Sequence, residues 1–197
     1  MTTVLYVHGG TTHSTHEKYI DWLKTTTLYL QNIDWWSGSF LKHNISIPVV
    51  APRFPLSENA QYDEWKLFFE RYVEKIDDEL ILIGWSLGAI FLVKYLSENT
   101  PSHPIRATFL VAPPFDDTVE GEELCNGFAL SDDMSAVLDH SSKVNFYFSK
   151  DDFCVPSSHM EKYQKALPQA TFTLFSDRNH FLQEEFPELI EHIQDAL

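Results

Sequence analysis

The chain is poor in cysteine and in positive charge. Only Cys125 and Cys154 occur among 197 residues. They do not make a disulfide framework, and neither stands in a zinc-binding spacing. Fourteen Lys and Arg face 29 Asp and Glu, for a formal charge of −15. Such a surface repels nucleic acid and anionic membranes and favours solubility. The opening Met1-Thr2-Thr3-Val4-Leu5-Tyr6-Val7-His8 has no basic region before its apolar run and no cleavage-like site. That run is far too short to cross a bilayer. Internal repeats and low-complexity tracts are absent, and the end at Leu197 carries no recognisable sorting signal. The expectation is a cytoplasmic protein with no nucleic-acid or membrane partner, no metal and no cofactor.

What is present is a globular composition, 44% hydrophobic and 14% aromatic, long enough to bury a full core in one domain over 1–197. Short apolar runs alternate with helical patterns. Strands are expected at 4–7, 45–50, 80–83, 107–111, 144–148 and 171–175. Helices are expected at 17–30, 62–76, 86–96, 158–167 and 186–197. Tyr19, Trp22 and Leu23 share one face of the first helix. Trp65, Phe68, Phe69, Tyr72, Val73 and Ile76 recur at helical spacing in the second. This βα alternation implies an α/β fold, a parallel sheet covered by helices on both faces with right-handed crossovers. One stretch, 112–142, breaks the rhythm. It carries Asp116, Asp117, Glu120, Glu122, Glu123, Asp132 and Asp133, with Phe115, Phe128 and Met134 scattered among them. It reads either as a small lid or binding loop, or as a short helix with a solvated return across the sheet.

The most informative stretch is Gly84-Trp85-Ser86-Leu87-Gly88. It follows the apolar run Leu80-Ile81-Leu82-Ile83 and leads into Ala89-Ile90-Phe91-Leu92. A buried strand turning abruptly into a helix strains the corner serine and lifts its hydroxyl clear of the sheet. The glycines avoid collision with neighbouring strand or helix. A plain helix-capping serine is the alternative. A serine nucleophile needs a base, and the base needs an acceptor that fixes its tautomer. In a parallel sheet such groups gather at the carboxyl ends of strands. Asp151 and Asp152 follow the fifth strand and His180 follows the sixth, so the order is Ser, Asp, His. The oxyanion of acyl transfer requires two aimed N–H donors. The amide of Leu87 is one candidate, and the loop His8-Gly9-Gly10-Thr11 supplies the other, at Gly10. His8 reads as a structural residue orienting that loop rather than as the base. His13 and His16 have a metal-like spacing but no accompanying ligands.

With these residues in hand, the chain resembles the α/β-hydrolases, and within them the small serine hydrolases of the retinoblastoma-binding-protein-nine type. The similarity is carried by Tyr6-Val7-His8-Gly9-Gly10, Gly84-Trp85-Ser86-Leu87-Gly88-Ala89, Asp152-Phe153-Cys154-Val155-Pro156 and Asn179-His180-Phe181. Pro52-Arg53-Phe54-Pro55 and Tyr62-Asp63-Glu64-Trp65 add to it. The resemblance implies a nucleophile at Ser86, a base at His180 and an acid at Asp152. Asp152 is preferred to Asp151 because the family places the acid three residues before a Val-Pro pair. It also implies six parallel strands in the order 2-1-3-4-5-6, with 112–142 standing where larger relatives carry a cap. Two residues depart from the pattern. Trp85 stands where relatives often have His or a polar residue, and Asn179 stands where Gly commonly precedes the base. Asn tolerates a left-handed backbone better than most residues.

The function expected is that of a cofactor-independent serine hydrolase, carboxylesterase-like, cleaving a small-molecule acyl ester through an acyl-enzyme. The alternative is a weakly active or non-catalytic binding protein on the same scaffold. Its contact surfaces for an unspecified protein partner would be the acidic 112–142 stretch and the aromatic helix at 62–76.

Overall fold

A computed structural model describes residues 1–30, 34–118 and 123–197. Six parallel strands form one sheet: β1 (Thr2–Val7), β2 (Val49–Val50), β3 (Glu79–Trp85), β4 (Ile105–Val111), β5 (Val144–Ser149) and β6 (Thr171–Phe175), in the order β2-β1-β3-β4-β5-β6. This is the order implied by the resemblance. Among the described residues seven α-helices surround the sheet: α1 (His16–Thr25), α2 (Ser39–Asn44), α3 (Tyr62–Val73), α4 (Leu87–Glu98), α5 (Ala136–His140), α6 (Ser158–Ala166) and α7 (Pro187–Gln194).

Strand periodicity divides the core in two. Leu5, Val7, Leu82, Phe146 and Phe148 face one side, where they meet Trp65 and Phe69 of α3, Ile90 and Phe91 of α4, and Tyr163 of α6. Val4, Tyr6, Ile81, Ile83 and Tyr147 face the other, against Trp36, Leu41 of α2 and Leu189, Ile190 and Ile193 of α7. The aromatic stripe at 62–76 is therefore core: Tyr62, Trp65, Phe69 and Val73 are all buried. α4 is buried almost all round, from Leu87 through Val93, as expected for a helix lying over the middle of a sheet.

Several boundaries differ from the sequence expectation. The helix expected at 17–30 stops at Thr25. There the Thr25 hydroxyl bonds back to the Asp21 carbonyl, and Thr26 closes onto Trp22 O at 2.8 Å. The β-branched run that follows disfavours continuation. None of its residues is buried, so the Tyr19–Trp22 face is not a core face; the two rings instead stack on each other at 6.2 Å. The strand expected at 45–50 shrinks to Val49–Val50. Pro48 lacks a ladder N–H but lends its carbonyl to Val4 N–H at 2.9 Å, and Ile45 turns into the core. The helix at 62–76 ends at Val73, its last turn tightened by Lys75 N–H to Tyr72 O and Ile76 N–H to Val73 O. The final helix is shorter at both ends, opening at Pro187, where a missing N–H is harmless.

α4 sits so close to the sheet that Gly88 in its first turn, and Gly84 near the end of β3, have no room for a side chain. A Cβ on Gly88 would lie 2.2 Å from the Val7 carbonyl oxygen and 2.4 Å from that of His8; a Cβ on Gly84 would lie 2.6 Å from Ala89 Cα. These are backbone atoms that cannot step aside. Ala normally stabilises a helix interior by about 1 kcal/mol over Gly. Gly88→Ala is expected to reverse that sign and destabilise by roughly 3 kcal/mol or more, measured as a lower urea midpoint at unchanged slope. A variant as stable as the parent would mean that α4 can withdraw from the sheet.

Candidate active site

Ser86 stands between β3 and α4 at φ 53°, ψ −119°, a left-handed corner that an L-residue adopts at a cost of order 1–3 kcal/mol. The corner is fixed on both sides. Ser86 N–H donates to Val111 O at 2.8 Å, and Ser86 O accepts from Ala89 N–H at 2.9 Å. Its side-chain oxygen takes no hydrogen bond among the described residues and opens onto a cavity of about 40 Å³. Gly10, Leu87, Leu124, Cys154 and Val155 line the same cavity. The Leu87 amide is the first of α4, where the helix dipole adds partial positive charge. In the β1 loop, Thr11 N–H is consumed by Ser57 O at 2.8 Å, while the neighbouring Gly10 amide makes no hydrogen bond among the described residues.

Asp152 and His180 meet. His180 Nδ1 lies 2.9 Å from Oδ2 and 3.1 Å from Oδ1 of Asp152, and both residues are buried. The amides of Cys154 and Val155 each donate to Asp152 Oδ1 at 2.8 Å. A carboxylate offers Nδ1 only acceptors, so Nδ1 carries a proton, and in the neutral ring the lone pair is on Nε2. Asp151 does different work. It accepts from the Ser149 hydroxyl at 2.5 Å and from Asn179 N–H at 2.9 Å. The Ser149 hydroxyl, then the backbone amides, hold its carboxyl below the usual range. Asp151 thus ties down the loop that carries the imidazole. Asn179 is left-handed at φ 47°, the conformation for which Asn is suited.

Two indoles brace that loop from the other side. Trp85 Nε1–H donates to His180 O, and Trp36 Nε1–H to Phe181 O, each at 3.0 Å. Trp85 does not line the Ser86 cavity; its place is against the imidazole. No direct hydrogen bond joins Ser86 Oγ to His180 among the described residues. The Trp36 contact spans 145 residues of sequence, and no local signal marks it.

The other histidines are engaged elsewhere. His8 Nε2 accepts from Phe54 N–H at 2.7 Å, and Nδ1–H donates to Gly9 O at 2.6 Å. Burial pushes its pKa down, so it bridges two loops as a neutral ring. His159 accepts from Phe115 N–H at 2.8 Å and is likewise held neutral by burial. His13 packs on Tyr19 and Trp22.

The 112–142 stretch divides into two parts among the described residues. Its latter part holds α5, and Phe128 and Met134 are buried in the core. Its first part walls the Ser86 cavity with Pro114, Asp116 and Leu124. Phe115 packs on Tyr163 at 4.9 Å. None of Phe115, Phe128 and Met134 lines that cavity. Glu123 fastens the stretch to the N-terminus of α1, accepting from Ser14 N–H at 2.8 Å and from the Lys18 ammonium. Lys18 and the Ser14 amide bring its carboxyl down to about 2. Glu120 and Glu122 lie outside the described residues. Among the described residues no helix is long and apolar enough to cross a membrane, and no cluster of His, Cys, Asp or Glu is arranged to hold a metal.

Comparison with known proteins agrees with this architecture. The rat protein Serine hydrolase RBBP9 (Rattus norvegicus) is 27% identical over 166 residues, spanning 82% of this chain and 86% of the relative. The ydeN gene product of B. subtilis superposes with a TM-score of 0.75 at 15% identity, covering 100% of this chain and 98% of that one. The monoacylglycerol lipase of Paleococcus ferrophilus gives 0.62 at 14% identity, covering 99% and 95%. These solved structures share the α/β-hydrolase fold seen here. The family described as serine hydrolase matches residues 34–194, and with that match the chain belongs to the serine hydrolases.

Proposed function

We propose that this serine hydrolase is a carboxylesterase acting through Ser86, His180 and Asp152. The observation that carries the reading is the imidazole of His180. Its Nδ1 is engaged by both oxygens of a buried carboxylate, which leaves Nε2 of the neutral ring as a lone-pair acceptor at a strand end of the same sheet edge as the strained serine. In this reading Ser86 Oγ attacks the ester carbonyl carbon as Nε2 takes its proton. The Leu87 and Gly10 amides hold the oxyanion. Nε2 then returns the proton to the alcohol oxygen as the C–O bond breaks. Water attacks the acyl-enzyme with the same histidine as base, and the acid leaves. Asp152 holds the tautomer and stabilises the imidazolium.

The cavity at Ser86 supports a small acyl group, because about 40 Å³ accommodates roughly three water-sized groups. Asp116 and Glu123 at its rim favour neutral over anionic acyl chains. Within the stretch 112–142, the part that walls this cavity with Pro114, Asp116 and Leu124 is proposed as its small lid. A fluorophosphonate probe tests the nucleophile directly: a single adduct is expected, located at Ser86 by peptide mass mapping. An unlabelled protein, or an adduct elsewhere, favours instead a binding protein that keeps the scaffold without its chemistry.

A further inference from the structure

The imidazole of His180 is flanked by rings that take no part in the Ser86 cavity. The Trp85 ring centroid lies 5.6 Å from it at 41°, and the Phe153 centroid 6.2 Å from it at 58°. Trp35 continues from Trp85 at 5.4 Å, and Tyr29 from Trp35 at 6.4 Å. The row is open to solvent at both ends. Phe153 is 71% exposed and Tyr29 59%, while Trp85 and Trp35 are half-buried. The exposure of Phe153 stands out locally. Asp152 before it is buried and Cys154 and Val155 after it line the Ser86 cavity, whereas Phe153 is exposed. The core does not use this ring, and an exposed aromatic at the mouth of a site is available surface for a ligand.

The inference rests on the esterase reading and concerns the half of the substrate that the cavity does not hold. In acylation the Ser86 Oγ–C bond forms and the C–O bond to the alcohol breaks. The departing oxygen takes its proton from His180 Nε2, so the alcohol must lie against the imidazole when it leaves. The groups that meet the alcohol are therefore those beside His180, not those of the acyl cavity. We propose that Phe153 and Trp85, extended by Trp35, form a leaving-group shelf, and that the preferred substrates join a small acyl group to a neutral aromatic alcohol. A flat ring laid on this row gains offset or edge-on ring contacts that an alkyl chain of equal apolar bulk does not.

The test compares 2-phenylethyl acetate with hexyl acetate, which share the acetyl-enzyme and have alcohols of similar acidity and apolar size. The wild-type protein and its Ser86→Ala, Phe153→Ala and Phe153→Tyr variants are measured by kcat/KM. The wild type is expected to prefer the phenylethyl ester. Phe153→Ala should shrink that preference by roughly 3- to 10-fold, and Phe153→Tyr should keep it. Damage to the Asp152–His180 pair by a neighbouring substitution slows both esters alike and leaves the ratio unmoved, so the ratio reports the shelf alone. Ser86-dependent cleavage with no preference, or with a preference that Phe153→Ala leaves intact, overturns the shelf and spares the esterase reading. Absence of Ser86-dependent cleavage of either ester brings down both.

Discussion

Replacing Ser86 by Ala is expected to lower kcat on a small chromogenic acyl ester by about 10⁶-fold while leaving the protein folded. The two halves of that expectation have separate causes. The Ser86 hydroxyl makes no hydrogen bond among the described residues, so its loss leaves no buried group unpaired. The main-chain bonds that hold the corner, to Val111 O and from Ala89 N–H, survive in Ala. The left-handed φ of 53° strains Ala and Ser alike. Stability should therefore change by no more than about 0.5 kcal/mol. Catalysis should collapse, because in the proposed mechanism no acyl-enzyme forms without the oxygen and the Leu87 and Gly10 amides are left to act only on uncatalysed attack by water. Adding His180→Ala to Ser86→Ala should cost little further, since residues that act as one relay are not additive. Turnover within tenfold of wild type in Ser86→Ala would place the chemistry at another group.

The second large effect separates two adjacent carboxylates. Asp152→Asn should reduce kcat by about 10⁴-fold. The amide oxygen of Asn can keep the bonds from Cys154 and Val155 N–H at 2.8 Å, so the turn holds. Its NH₂ then faces Nδ1 and forces the imidazole to accept there, which puts the ring proton on Nε2. In that tautomer Nε2 cannot take the serine proton. Asp151→Asn keeps an acceptor for the Ser149 hydroxyl and Asn179 N–H and does not touch the imidazole. It should cost less than about tenfold, on the scale of one weakened loop hydrogen bond. The comparison is made by steady-state kinetics on one ester. Equal losses in the two variants would mean that loop position, not tautomer, limits the rate.

Much of this is legible in the sequence. The apolar run 80–83 ending in Gly-x-Ser-x-Gly is a local pattern whose meaning is steric, and the strand, corner and buried helix follow from it. The Ser, Asp, His order follows strand ends, and strand ends are readable from short β-rich runs. The β-branched termination of α1 at Thr25 and the loss of most of the strand expected at 45–50 were missed, because periodicity alone overruns a helix or strand when proline or threonine intervenes. The choice between Asp151 and Asp152 rested on family pattern, since residue spacing treats the two as equivalent.

The sequence by itself determined the alternation of strands and helices, the strained corner at Ser86 and the three residues whose strand ends share one edge of the sheet. These depend on neighbours within a few positions, where covalent geometry and side-chain period act directly. Tertiary structure alone decided which carboxylate faces the imidazole, and that Trp36 and Trp85 hold the His180 loop across 145 and 95 residues. It also decided that Phe128 is core rather than cover, and that Phe153 is left in solvent beside the site. Such contacts form only when distant segments are packed together, and no local spacing encodes the direction in which a side chain leaves a turn.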